Sequence, residues 1–95
     1  MNDENQDAFY DRLRIQLKES TQWPSIYLYK FIVLTDLEKI DQVHKVFDNT
    51  GAVIDSKQSK NGKYTSLSIT VNLKNPDEVI TKYKEVGEIE GVISL

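Results

Sequence analysis

Apolar residues along this chain recur first at helical spacing, then in alternation, and the switch repeats. Phe9, Leu13 and Leu17 stand four apart, which predicts a helix over residues 7–20 with Arg12, Arg14, Lys18 and Glu19 on its wet side. Residues 1–6, Met-Asn-Asp-Glu-Asn-Gln, carry no such stripe and read as a disordered tail. Trp23-Pro24 ends the helix, because proline disfavours helical geometry in the residue before it. Residues 25–34 then alternate with both sets mostly apolar, so they predict a central strand covered at least partly on both faces, with Lys30 its only charge.

Thr35-Asp36-Leu37-Glu38 reads as a capping box, and the helix it opens carries Leu37, Ile40, Val43 and Phe47 on one face. Asn49-Thr50-Gly51 stops that helix. Residues 52–60 form a polar, edge-like strand, and Asn61-Gly62 predicts a two-residue type I′ hairpin into a strand over 63–73. Asn75 caps a third helix with Pro76 in its first turn and Val79, Ile80, Tyr83 and Val86 as its stripe, closed by Gly87. Residues 88–95 give a final strand.

The order after residue 24 is strand-helix-strand twice over. That predicts an α+β, ferredoxin-like βαββαβ sandwich: a four-stranded antiparallel sheet with two helices on one face, plus an extra N-terminal helix. Residues 7–95 thus form one domain, with 7–20 as the added helix and 25–95 as the core.

The hairpin fixes a register in which Lys57 pairs with Ser66, Asp55 with Ser68 and Val53 with Thr70, while Ile54 meets Ile69 on the opposite, core-facing side. The open face therefore gathers Lys30, Asp55, Lys57, Tyr64, Ser66 and Ser68 beside Leu28, Ile32 and Val53. Such a face can be covered by the N-terminal helix, meet a second subunit, or hold a ligand. Lys30, read as a lysine on a covered face, needs a partner, and Asp55 is the candidate.

Charge and composition narrow the functions. Twelve Lys and Arg against fifteen Asp and Glu give a net charge of −3, the wrong sign for a general phosphate-binding surface. The absence of cysteine removes disulfides and thiolate chemistry, which argues for a cytoplasmic protein rather than a small secreted one. The acidic N-terminus is unlike a signal peptide, and no apolar run could span a membrane.

His44, the sole histidine, flanks a helix stripe and reads as a packing residue; with Asp41 and Asp48 it makes only a common helical spacing, not a metal site. No phosphate loop or nucleophile motif is present, so no enzyme, cofactor or metal is expected. RNA-recognition domains share the topology and stack bases on strand aromatics. Here Tyr64 is suitably placed, but Ser66 and Ser68 follow where a second aromatic would stand.

Trp23-Pro24, Tyr29-Lys30, the hairpin run Ser59-Lys60-Asn61-Gly62-Lys63-Tyr64-Thr65-Ser66-Leu67-Ser68-Ile69-Thr70-Val71, and Tyr83 with Gly87 resemble the YbeD-like family of small bacterial proteins. The resemblance covers residues 20–95 and implies an ACT-like ferredoxin fold without an assigned activity. ACT-like domains elsewhere bind amino acids near the loop after the first strand. Here that loop keeps Asp36 but lacks their Pro and Gly, so no binding residue carries over. The expectation is a non-catalytic regulatory or protein-interaction module, with a protein partner or a second copy of itself. An amino-acid-like metabolite sensor is the alternative, and RNA binding the second.

Overall fold

The computed structural model describes residues 2–95, and the side chains of residues 5–95. Three helices and four strands follow in the order α1 (Asn2–Ser20), β1 (Ser25–Leu34), α2 (Leu37–Val46), β2 (Val53–Gln58), β3 (Tyr64–Leu73), α3 (Pro76–Gly87) and β4 (Ile93–Ser94). The strands form one antiparallel sheet in the order β2-β3-β1-β4.

Alternation decides which side of the sheet is core. From β1, Tyr29, Phe31 and Val33 point inward, and from β3, Thr65, Leu67, Ile69, Val71 and Leu73 do the same; all are buried. Val43 and Phe47 of the α2 region and Val79, Ile80 and Val86 of α3 close over them. Tyr29 lies at the centre. Its ring stacks on Phe31 at 5.7 Å and meets Phe47 at 5.2 Å and Tyr83 at 4.8 Å, while its hydroxyl donates to Val79 O at 3.0 Å. Beside it the hydroxyls of Tyr27 and Tyr83 share a hydrogen bond of 2.9 Å. Burial pushes the hydroxyls of Tyr29 and Tyr83 well above the ordinary phenol range, and to a lesser depth that of Tyr10.

Helix α1 docks on α3. Tyr10 stacks against Tyr83, Arg14 bridges Asp11 and Asp77 at 2.6 and 2.5 Å, and Trp23 Nε1 donates to Leu17 O. The docking face is therefore Tyr10, Leu13, Arg14 and Leu17, whereas Phe9, which the four-residue spacing put on the stripe, is exposed. The helix also begins at Asn2 rather than residue 7; Met1 lies outside the described residues. Once later turns are docked, adding a polar turn costs little, because nucleation is the expensive step.

Other local readings shift for equally local reasons. Asp36, not Thr35, caps α2, accepting from Glu38 N–H at 2.9 Å; Thr35 instead bonds Thr65 across the strand end at 2.8 Å. With the helix starting at Leu37, that side chain turns outward and is 84% exposed. The hairpin is not a two-residue type I′ turn. Gly62 has positive φ but Asn61 does not; Gly62 N–H donates to Ser59 O, and Asn61 Oδ1 accepts from Lys63 N–H. The pairing is unchanged, since Lys57↔Ser66, Asp55↔Ser68 and Val53↔Thr70 all hold. At the far end Gly87 stays within α3, a turn follows, Gly91 takes the positive φ, and β4 shrinks to two residues.

Gly62→Ala is expected to cost about 1 kcal/mol of folding stability, read by urea titration. A Cβ there meets only Gln58 Oε1 at 3.6 Å, so strain at φ +75° and not a clash sets the cost. A loss several times larger would contradict this turn geometry.

Candidate functional site

All six residues drawn together by register lie on the open side of the sheet. Lys30, Ser68 and Asp55 form one row across β1, β3 and β2; Ile32, Ser66 and Lys57 form the next. Tyr64 stands beyond them beside Leu34, with Lys63 Nζ 5.5 Å over its ring. Ser66 Oγ donates to Lys57 O at 3.3 Å, and Tyr64 N–H donates to Ser59 Oγ at 3.0 Å.

The covering and the pairing differ from expectation. Among the described residues no helix crosses this face, because α1 has gone to α3 on the other side, so β1 is central yet covered on one face only. Lys30 is exposed, and among the described residues no ion pair reaches it or Asp55. Ser68 stands between them, and two strand spacings hold their backbones about 10 Å apart, a distance at which physiological salt largely screens exposed charges.

The surroundings of this row are more apolar than Leu28, Ile32 and Val53 alone would make them. Ile26 is 69% exposed, Leu28 51%, Val53 61% and Ile93 55%, and Leu34, Leu95 and Tyr64 are exposed beside them. Ile93 pairs with Ile32, and Leu95 N–H donates to Lys30 O, so β4 and the residue after it add two apolar side chains to the same surface. Single exposed apolar residues are ordinary; several gathered on one uncovered face, on both sides of a polar row, are not.

Concavity is slight. Ile32, Lys57, Gln58, Ser59, Tyr64 and Ser66 line a depression of about 210 Å³, below the size of a usual small-molecule pocket. A larger one, about 410 Å³, lies between the end of α2, β3 and α3. Two of its charged groups already have partners: Glu78 accepts from the Lys74 backbone N–H, and Lys82 donates to Val46 O and pairs with Glu85. His44 is exposed on α2 rather than packed. Among the described residues no group of His, Asp and Glu could hold a metal, and no helix is long and apolar enough to cross a membrane.

Comparison with known proteins adds a family and a fold. The family described as "Protein of unknown function (DUF493)" matches residues 18–95, so most of α1 lies outside the match. The chain is similar to a UPF0250 protein of Erwinia tasmaniensis, 36% identical over 81 residues that span 82% of this chain and 93% of the relative. It is also similar to a UPF0250 protein of Buchnera aphidicola subsp. Schizaphis graminum, 34% identical over 86 residues, 84% of this chain and 95% of that one. The solution structure of protein HP0495 from H. pylori has the same fold, with a TM-score of 0.63 over 80% of this chain and 86% of that one; at 18% identity the likeness concerns fold alone.

Proposed function

The chain belongs to the DUF493 family, the YbeD-like group its hairpin resembles, and we propose that it is a non-catalytic protein-interaction module of ferredoxin-like, ACT-like architecture. The observation that carries this reading is the uncovered sheet face, where Ile26, Leu28, Val53, Ile93 and Leu95 leave apolar surface in water around a short polar row. Burying such surface against a partner is favourable by roughly 25 cal/mol per Å². A flat, mixed surface with no deep pocket suits a protein better than a small molecule.

The strand order β2-β3-β1-β4 supports the ferredoxin-like assignment. A cytoplasmic location fits the lack of cysteine. Metabolite sensing and RNA binding draw less support. The loop from β1 to α2 puts Leu37 into solvent without an enclosed cavity, and Tyr64 has no second aromatic on its strand's open face.

Photo-cross-linking in bacterial cells tests the reading. A benzophenone amino acid replacing Leu28 is expected to give discrete protein adducts, whereas one replacing Lys45 on exposed α2 gives few. Equal adducts from both positions, or adducts from Lys45 alone, would sink it.

A further inference from the structure

The polar row on the open face carries opposite charges at its two ends. Lys30 on β1 and Asp55 on β2 flank Ser68 on β3 at matched register. Resting on the interaction-module reading, we propose that the partner is a second copy of this chain, docked face to face about a two-fold axis lying along β3 and passing over Ser68.

Symmetry and charge select that axis. Two copies meeting through the same face must be related by an axis in the plane of contact. If it runs along β3, each row meets its own reversed image: Lys30 faces Asp55 of the second copy, Asp55 faces its Lys30, and the pair forms twice. On one side of this row Leu28 faces Val53 of the second copy, since Leu28, Thr70 and Val53 share a row. On the other, the Lys57 stem lies over Ile32 and its ammonium reaches the rim. An axis across the strands through the charged row instead sets Lys30 against Lys30 and Asp55 against Asp55. Moved one row toward Ile26 or toward Leu34, it presses Lys30 onto an apolar side chain with no counter-charge. Only the axis along β3 satisfies both ends of the row.

The area agrees with modest association. Strand spacing and rise give a face on the order of 500 Å² per copy, so the pair buries on the order of 1,000 Å², near the floor for specific interfaces. Sheets packed face to face cross at about 30°, which shifts neighbouring rows by less than one residue and preserves the pairing. Association is therefore expected at micromolar concentrations or above.

Sedimentation velocity on the full chain tests the arrangement with Lys30→Glu, Asp55→Lys and their equimolar mixture, each confirmed as folded by circular dichroism. Wild type is expected to dimerise. Each charge reversal places two like-charged pairs in its own dimer and should weaken association roughly tenfold or more. Mixing the two variants makes both pairs complementary again and should restore dimers to within about threefold of wild type. A wild type that stays monomeric at millimolar concentration overturns the proposal. So do variants that dimerise normally, or a mixture that stays as weak as its components. If dimerisation fails while the Leu28 position still cross-links to another protein, the second-copy assignment falls and the interaction-module reading stands.

Discussion

Tyr29→Ala is expected to remove about 4 kcal/mol of folding stability, the middle of the range for truncating a fully buried aromatic. Domains of this size have a total of only about 5–15 kcal/mol, so the variant should sit at the edge of folding. The cost arises because Tyr29 is fully buried and touches Phe31, Phe47, Tyr27 and Tyr83 at once, joining the sheet to both covering helices. Tyr29→Phe separates the hydroxyl from the ring. It loses only the hydrogen bond to Val79 O and should cost about 1 kcal/mol. Urea titration reads both. A loss below 1 kcal/mol for the alanine variant would mean that the aromatic cluster is not the core of the domain.

Alkali should unfold the protein cooperatively. Burial holds Tyr29 and Tyr83 in their neutral form far above the ordinary phenol range, with the Tyr27 hydrogen bond assisting at Tyr83. Folded-state values raised above the unfolded ones leave stability unchanged while both states remain protonated. Above pH 10 or so the unfolded chain ionises first, and stability falls by about 1.4 kcal/mol per pH unit for a fully buried tyrosine. Tyr29 supplies that slope; Tyr83, only half-buried, adds a smaller part. The share of the tyrosinate absorbance at 295 nm that comes from the buried cluster should therefore rise together with the loss of near-ultraviolet circular dichroism, in one steep transition above pH 10. Smooth ionisation of every tyrosine near pH 10 with the fold intact would contradict the buried cluster.

Much of this architecture was legible because two periods carry it. Register survived an error in turn type: whether the connection has two residues or four, Lys57 still meets Ser66 and Asp55 still meets Ser68. Strand parity likewise put all six candidate residues on one face. Decisions made by tertiary contacts were not legible. Thr35 left the capping role because Thr65 lies within reach across the sheet. Phe9 lost the docking stripe to Tyr10 because Tyr83 of α3 waits on that side. The apolar character of the open face followed from the same choice. With α1 placed on α3, Ile26, Leu28 and Val53 stay exposed, and the short β4 adds Ile93. No local pattern records which side of a sheet an added helix will take. Lys30 shows a face read correctly and a partner read wrongly, since alternation gives direction but not depth of burial.

Hydroxyl-radical footprinting of the dilute protein and of the same protein inside bacteria asks whether the open sheet face is where this chain meets its partner. Phe9, Ile15 and Leu37 are exposed to a similar or greater degree on the helical side and serve as internal controls. Oxidation of Ile26, Leu28, Val53 and Ile93 is expected to fall in cells while the controls react as before. Protection of Phe9, Ile15 and Leu37, with the sheet face as reactive as in dilute solution, would contradict it.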